Sequence, residues 1–230
     1  MGVVLKPGEI NARAWGLPGV LTFFDTNRRS AGDVYPSERF FLMDRLKDGI
    51  SILDVGCAQG GFADIVGERL SRFSYTGIDI NADMIARARA RHPQHEFLTA
   101  GEADYSALRG RTFDLVLVLG ILHLHEAWRE TLRGAWDCTA GSMIFDLRQI
   151  DSPSIEDRTK SYMKMNLSDD ADGGQSVPYI LVNSGDAHAI VSKTCFDARR
   201  ISQYGYRHAV TEHAVTPIKD VMAITWCTER

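Results

Sequence analysis

The 230-residue sequence has only four cysteines and no long hydrophobic run. The cysteines are widely separated and form no Cys-x-x-Cys pair, which excludes a zinc ribbon or a disulfide framework and favours reduced thiols packed in a core. No apolar run approaches the roughly 20 residues that a membrane span needs, so no membrane partner is predicted. The first residues, MGVVLKPGEINARAW, lack a basic region followed by an apolar stretch. No secretory signal is therefore expected, and the predicted location is cytoplasmic.

An excess of basic residues is also missing. The chain has 26 Lys and Arg against 30 Asp and Glu, which gives a formal net charge of −4. Because a domain that binds phosphate backbones usually carries a net basic face, nucleic acid is not a predicted partner. The hydrophobic fraction of 44% and the charged fraction of 24% are ordinary for a globular protein and exclude a disordered, collagenous or coiled-coil chain. No feature of the sequence indicates the oligomeric state.

Between residues 50 and 150, short apolar runs alternate with amphipathic stretches. The run FDLVLVL at 113–119 has no polar alternation after its Asp, which is typical of a strand buried on both faces. This alternation predicts a doubly wound α/β fold with a parallel sheet. The predicted strands span 50–55, 75–80, 96–99, 113–119 and 142–147, and the predicted helices span 38–47, 62–70, 82–91 and 126–136.

After residue 150 the alternation stops. An acidic run at 168–174 resembles a calcium loop in part, but Tyr179 stands where a bidentate Glu is needed, so a solvated loop is predicted. Two runs, 177–183 and 188–193, flank Ser-Gly-Asp and predict a β-hairpin insertion. A helix at 197–204 that stops at Gly205 and strands near 207–211 and 220–228 complete the prediction.

The segment ILDVGCAQGGF at 52–62 carries the clearest chemical signal. A buried strand runs into a turn of small residues and then opens a helix, so backbone N–H groups can approach an anionic or carboxylate-bearing ligand. Asp79 ends the next strand, 19 residues beyond Gly60, where a nucleotide-type fold places a carboxylate that binds ribose. The turn and this carboxylate together predict a nucleoside-bearing cofactor.

These residues resemble the first two motifs of the class I S-adenosylmethionine-dependent methyltransferases. The segment 54–60 matches the family pattern Asp/Glu-x-Gly-x-Gly-x-Gly with Ala in place of the middle Gly, and the segment 76–80 resembles the second motif. The resemblance implies that the first segment lines the methionine part of S-adenosylmethionine and that the second binds its ribose and adenine. The residues implied are Asp54 near the amino group, Gly56, Cys57, Ala58 and Gly60 along the methionine, Asp79 on the ribose and Ile80 against adenine.

The resemblance continues over most of residues 38–150 and, more loosely, over 194–230. Gly101-Glu102-Ala103 is similar to the third motif, in which Glu102 or Asp104 would reach the adenine amine. Gly120 and Ile121, which come after the fourth predicted strand, would border the reactive methyl group. The family has a Rossmann-like, seven-stranded, mostly parallel sheet with helices on both faces and an antiparallel pair at its carboxyl end, and this fold is expected here.

The acceptor is predicted from the segment after the fourth strand. Residues 119–125 lack the Asn/Asp-Pro-Pro-Tyr/Phe pattern of amine and nucleobase methyltransferases, so an oxygen of a small metabolite or a glycan-like acceptor is predicted. His123 is the candidate general base, because a hydroxyl must lose its proton as it attacks. His125 could pair with it on a metal, but no third ligand is identifiable and no metal is predicted. Asp146 and Arg148 either face the acceptor or form a surface ion pair.

Two other functions remain open from the sequence. A nicotinamide-dependent oxidoreductase also uses a glycine-rich turn and an acidic residue, although Asp54 and Ala58 fit its pattern less well. A protein that binds the cofactor without turnover is the other alternative.

Four segments with different roles are predicted. Residues 1–37 form an amino-terminal lid, 38–150 the cofactor-binding core, 151–193 an insertion that covers the acceptor, and 194–230 the carboxy-terminal part of the core. The lid is expected because a parallel sheet leaves its carboxyl edge open, whereas methyl transfer needs exclusion of bulk water. Its candidate aromatic residues are Trp15, Phe23 and Tyr35, for which plain core packing is the alternative.

Overall fold

A computed structural model describes residues 6–165 and 175–230, which include eleven strands and seven α-helices. The strands are β1 (Ile50–Val55), β2 (Phe73–Asp79), β3 (Glu96–Thr99), β4 (Phe113–Val118), β5 (Thr139–Ile150), β6 (Tyr162–Lys164), β7 (Ser176–Pro178), β8 (Val182–Asn183), β9 (Arg200–Ala209), β10 (Ala214–Val215) and β11 (Asp220–Glu229). The helices are α1 (Pro7–Trp15), α2 (Pro18–Thr26), α3 (Pro36–Leu42), α4 (Gly61–Gly67), α5 (Ala82–Arg91), α6 (Trp128–Asp137) and α7 (Ser184–Thr194).

The main sheet has the strand order β3-β2-β1-β4-β5-β11-β9, with the short β8 added beside β5. The first five strands are parallel, whereas β11 pairs antiparallel with both β5 and β9. The predicted Rossmann-like, mostly parallel sheet of seven strands is confirmed. Because β1, β2 and β4 run parallel, their carboxyl ends meet at one edge, where ligands of such sheets bind.

Helices cover both faces of this sheet, and each face has its own apolar core. One core surrounds the buried rings of Trp128, Trp136 and Phe145, and the other includes Ile65 and Phe97. The predicted helix at 82–91 and the strand at 96–99 have the predicted bounds. All four cysteines are buried and free, in agreement with the prediction of packed thiols.

The predicted β-hairpin between residues 177 and 193 is wrong. Residues 184–194 form α7, and the Ser-Gly-Asp run that suggested a turn is the first turn of this helix. The side chain of Asn183 caps it by accepting hydrogen bonds from the backbone N–H groups of Gly185 and Asp186. Ala187 and Val191, one helical turn apart, face the core.

The predicted helix at 197–204 is also wrong, because β9 begins at Arg200 and runs to Ala209. It is an edge strand with mostly exposed side chains, so it lacks the apolar alternation that marks a strand in sequence. Gly205 lies inside the strand rather than ending a helix, and a Cβ there would lie 2.3 Å from the Ala223 carbonyl oxygen. The predicted helix at 38–47 ends at Leu42, and Phe40, expected on its apolar face, is 60% exposed.

The amino-terminal helices and the segment after β5 share a third core. Ala14, Val20 and Leu21 pack with Leu124 and Val177 in this cluster. β6 lies between β7 and β10 in a small antiparallel sheet that belongs to the same region. The acidic run at 168–174 lies outside the described residues. Among the described helices, none has the length and apolar character needed to cross a bilayer.

Candidate active site

The glycine-rich turn joins β1 to α4 with three residues in the left-handed region. Gly56 has a φ of 77°, Ala58 a φ of 46°, and Gly60, which caps α4, a φ of 76°. A Cβ on Gly56 would lie 2.6 Å from the Cγ2 of Ile121, so this position has no space for a side chain. The turn therefore needs glycine here for close approach as well as for its backbone angle.

Asp79 links this turn to the end of β2. Its Oδ2 accepts a hydrogen bond from the Ala58 N–H at 2.9 Å, and its Oδ1 accepts one from the Asn81 N–H at 2.8 Å. Desolvation raises the pKa of Asp79, although these backbone donors oppose the shift. The residue lines the cavity next to Ile80, so the predicted ribose carboxylate lies beside the predicted adenine contact.

Asp54 lies at the end of β1, is 3% exposed, and also lines the cavity. The Tyr75 hydroxyl donates a hydrogen bond to its Oδ2. Burial raises the pKa of Asp54 to about 7, and the hydrogen bond from Tyr75 and the charge of Arg28 only partly offset this effect. Burial also raises the pKa of the neighbouring Cys57 thiol, so Cys57 is a packing residue of the turn rather than a nucleophile.

The loop after β3 brings a third carboxylate to the cavity. The Oε1 of Glu102 accepts a hydrogen bond at 2.6 Å from the Nδ2 of Asn11 in α1. The backbone turns at Ala103, which has a φ of 54°. The next residue, Asp104, is exposed and accepts a hydrogen bond from the Ser106 N–H at 2.9 Å. Of the two residues predicted to reach adenine, Glu102 is thus the less exposed.

The segment that follows β4 lines the cavity together with the glycine-rich turn. The N–H of Gly120, which has a φ of 77°, donates to Asp146 in β5. His123 is 5% exposed, and its Nδ1 lies 3.8 Å from Asp146 Oδ2 without a hydrogen-bond partner among the described residues. Burial and the nearby Arg148 charge lower the pKa of His123 to about 3. His123 is therefore neutral but weakly basic.

His125 makes structural contacts through both ring nitrogens. Its Nδ1 lies 3.0 Å from the Ile121 carbonyl oxygen, and its Nε2 lies 2.8 Å from Thr131 Oγ1. Neither nitrogen is left for a metal, and no group of three metal-ligating side chains occurs in the part of the chain that the structure describes.

Asp146 and Arg148 form an ion pair inside the cavity wall, not on the surface. The Nη1 of Arg148 donates to Asp146 Oδ2 at 2.6 Å, and the two side chains are 14% and 5% exposed. Although burial opposes it, the Arg148 charge lowers the pKa of Asp146. Arg148 and Tyr179 both line the cavity. Burial raises the pKa of the Tyr179 hydroxyl, and the charge of Arg148 and its hydrogen bond to Tyr179 partly offset this shift.

A second arginine in this wall has no recognisable signal in the sequence. Arg28 comes after α2, and its guanidinium donates to both carboxylate oxygens of Glu38 at 2.9 and 3.0 Å. The same guanidinium lies 4.8 Å from the Tyr35 ring centroid. The backbone of this segment crosses the start of α4 so closely that a Cβ on Gly61 would lie 2.1 Å from the Arg28 carbonyl oxygen. Gly61 thus accommodates the amino-terminal segment.

One cavity of about 330 Å³ connects most of these groups, although Gly60, Glu38 and Asp146 are not among its lining residues. Its size falls in the usual range for small-molecule sites. In the order of the strands across the sheet, its lining passes from Glu102 and Asp79, which lie after β3 and at the end of β2, by Asp54 of β1 to His123 after β4 and Arg148 in β5. Tyr179 also lines the cavity. The predicted lid aromatics Trp15, Phe23 and Tyr35 line it together with Phe24 and Met163.

Comparison with known proteins agrees with this geometry. Residues 53–141 match the family described as a methyltransferase domain. Trans-aconitate 2-methyltransferase of Rhodopseudomonas palustris (strain BisA53) is 31% identical over 93 residues, which are 40% of this chain and 34% of that protein. Fatty-acid O-methyltransferase of Mycolicibacterium smegmatis is 35% identical over 80 residues, which are 34% of this chain and 29% of that protein. The chain thus spans about a third of the length of these curated relatives.

The fold agrees with this match. The crystal structure of the amino-terminal domain of EvdMO1 with SAH bound superposes with a TM-score of 0.59 and 13% identity, over 100% of both chains. The chain is therefore similar to a methyltransferase domain over residues 53–141, and its fold is similar to that of this SAH-bound domain, in agreement with the motifs. These similarities support the predicted enzyme class and the predicted cofactor, S-adenosylmethionine.

Proposed function

We propose that this chain uses S-adenosylmethionine to methylate a carboxylate oxygen of a small organic acid with an apolar body. The residues present fit the cofactor. Acidic side chains line one end of the cavity, and the turn beside them brings its backbone close. A Cβ on Gly120 would meet no atom within 4 Å, which leaves open space at the middle of the cavity. When bound, S-adenosylmethionine supplies an electrophilic methyl group on a sulfonium.

The proposed cofactor contacts are those that the resemblance to the family motifs implies. Asp79 would hold the ribose diol, Asp54 the amino group, and Glu102 the adenine amine, while Ile80 packs against the ring. Gly56, Cys57, Ala58 and Gly60 would line the methionine, Ala103 would turn the third loop, and Gly120 would border the methyl group.

The assignment of a carboxylate acceptor rests mainly on Arg148. Asp146 engages its Nη1, and a guanidinium has five N–H donors, so Arg148 has donors for a second anion. Arg28 and Arg148 are each paired with one carboxylate, which leaves this end of the cavity close to neutral. A bound sulfonium adds one positive charge here, and an acceptor carboxylate would balance it.

His123 supports the same conclusion, because it is a poor general base. The efficiency of a general base rises with its pKa, and the pKa of His123 is about 3. A hydroxyl acceptor must lose a proton to a base, whereas an ionised carboxylate has no proton to lose. His123 would then orient the acceptor by a hydrogen bond.

The relatives and the cavity wall favour an acid over a glycan-like acceptor. One relative is named for trans-aconitate and another for fatty acids, and both are carboxylic acids. Trp15, Phe24 and Met163 give the wall an apolar stretch that suits a hydrocarbon body. A neutral glycan would leave the spare donors of Arg148 without an anion.

The test is transfer of a labelled methyl group from S-adenosylmethionine to a panel of carboxylic acids that includes trans-aconitate and saturated fatty acids. The expected product is a methyl ester, whose label is released by mild base. A base-stable label on a hydroxyl compound, with no acid accepted, would refute the carboxylate assignment. SAH binding without transfer to any acid or extract component would instead favour a protein that binds the cofactor without turnover.

Methylation of a hydroxyl, with His123 as base and Asp146 orienting it, is the second candidate, favoured by the 3.8 Å approach of these side chains. His123→Asn separates the two functions. For a carboxylate acceptor, we expect turnover to fall less than about tenfold, because the substitution removes only a hydrogen bond. For a hydroxyl acceptor, the loss would be about a hundredfold or more.

The raised pKa of Asp54 predicts pH-dependent cofactor binding. Below its pKa of about 7, Asp54 is neutral and loses its attraction for the protonated amino group of SAH. Calorimetry should therefore show severalfold weaker binding at about pH 6 than at about pH 7.5, where Asp54 is mostly ionised. Asp54→Asn is the matched control, since it cannot ionise and should bind SAH with little change over this range. An equal pH dependence in both proteins would assign the titration to another group.

A further inference from the structure

Asn11, in the first helix, is fully buried and bonded to three different segments. Its Nδ2 donates to Glu102 at 2.6 Å and to Glu126 at 3.3 Å, and its Oδ1 accepts from Arg158 at 2.8 Å. Glu102 belongs to the loop after β3, Glu126 precedes α6, and Arg158 belongs to the segment after β5. One amide therefore joins α1 to the loop after β3 and to the segment after β5.

Two further contacts fix α1 over the same end of the cavity. Gly8 lies one turn before Asn11 on the same face of the helix, and a Cβ there would lie 3.3 Å from Glu102 Oε2. The Asn81 side chain, two residues after Asp79, donates a hydrogen bond to the Ala12 carbonyl oxygen at 3.1 Å. Helix α1 is thus attached to both loops that carry the predicted adenosyl contacts.

Apart from Trp15 of α1, the residues that line the acceptor end belong to other elements. Arg28, Tyr35 and Phe23 lie beyond α1 in the chain, and Met163 and Tyr179 come from the segment after β5. An acceptor could therefore exchange while α1 stays in place, whereas a ligand held by Asp79 and Glu102 lies beside the contacts of α1.

We propose that Asn11 is a positioning residue that holds Glu102 for the adenosyl group and slows release of the adenosyl product until α1 lifts. This inference rests on the proposed function, which places an adenosyl group at Asp79 and Glu102. The loss of a hydrogen bond to a charged group typically changes a rate or an equilibrium by about tenfold or more. The Asn11 contacts are therefore strong enough to control the dissociation rate.

The test measures SAH association and dissociation rates by stopped-flow fluorescence. Trp15 is a built-in reporter, because it lies in α1 and lines the cavity, whereas Trp128, Trp136 and Trp226 are buried in the core. We expect Asn11→Ala to raise the dissociation rate about tenfold and to change the association rate less than about threefold. Arg13→Ala, on the exposed face of the same helix, is the matched control and should leave both rates unchanged.

Two further variants separate positioning from simple stabilisation of the fold. Glu102→Ala should raise the dissociation rate, and adding Asn11→Ala to it should raise the rate little more, because Asn11 acts through Glu102. Arg158→Gln removes the bond to the other end of the Asn11 amide without touching α1, so it should also speed dissociation even if Asn11→Ala folds poorly.

The possible results distinguish a failure of the proposed role of Asn11 from a failure of the proposed function. If the wild type binds SAH and the dissociation rates of Asn11→Ala and Arg158→Gln stay within about twofold of its own, the role of Asn11 is refuted while the function stands. A fully additive double variant would also refute action through Glu102. Failure of the wild type to bind SAH at all would refute the cofactor assignment itself.

Discussion

Replacing Asp79 by alanine is expected to weaken SAH binding at least tenfold. A ribose diol can donate two hydrogen bonds to this carboxylate, each of which contributes roughly 1.5–3 kcal/mol when the acceptor is charged. The substitution also removes the acceptor for the N–H of Ala58, so the glycine-rich turn loses its anchor on β2. The loss should therefore exceed that of any single cofactor hydrogen bond. Titration calorimetry on the folded variant measures it.

The control for this prediction is Asp83→Ala, which removes an exposed carboxylate four residues further on, in the first turn of α5. It should bind SAH as the wild type does. Asp79→Asn keeps one oxygen acceptor and should fall between the wild type and Asp79→Ala. Unchanged affinity in a folded Asp79→Ala variant would remove the ribose assignment. Tight binding of a nicotinamide cofactor by the wild type would point to the oxidoreductase alternative.

Much of the candidate site could be predicted because its parts are local in sequence. In a parallel sheet, the residue after each strand lies at the carboxyl edge, so a motif directly after a strand already has its place in three dimensions. Asp54, Asp79 and Glu102 lie at or after the ends of β1, β2 and β3 and line a single cavity. The site prediction relied on the resemblance to the family motifs and on this regular geometry, whereas the individual ligand contacts stay predictions.

The other half of the site depends on contacts between distant segments, and no local pattern indicates them. Arg28 reaches the cavity because Glu38 holds its guanidinium and because Gly61 lets its backbone cross α4. Asn11 meets Glu102 across 91 residues of chain. An isolated Arg or Asn on a polar segment is typical of a solvated side chain, and only tertiary packing shows that these two are buried or partly buried.

The errors in the fold have similarly specific causes. The run at 184–186 has the composition of a turn. The same composition can begin a helix when the preceding residue is an N-cap, and Asn183 is the N-cap of α7. In β9, an edge position exposes most side chains and removes the apolar alternation on which strand prediction depends. Interior strands such as β4 are buried on both faces, so their apolar runs were recognisable.

Replacing Arg148 by glutamine is expected to lower kcat/KM for a carboxylic acid acceptor about a hundredfold. Truncating one member of a buried charge pair typically costs roughly 2–5 kcal/mol, and here the same guanidinium would serve both Asp146 and the acceptor. The loss should appear mainly as a higher KM, because the acceptor carboxylate loses its cation. The affinity for SAH should change less than about threefold, since the cofactor carboxylates lie at the other end of the cavity.

Two matched variants make this result specific. Arg111→Gln removes another arginine that is paired with a carboxylate, Glu96, but it precedes β4 and lies at the opposite edge of the sheet. It should leave kcat/KM unchanged. Arg148→Lys keeps the charge but not the planar fork, so it should recover part of the lost activity. Because Arg148→Gln leaves Asp146 buried without its cation, the double variant with Asp146→Asn shows whether poor folding accounts for the loss. If the single and double variants both fold, bind SAH and methylate the acid at the wild-type rate, Arg148 does not hold the acceptor, and the carboxylate assignment loses the residue on which it depends.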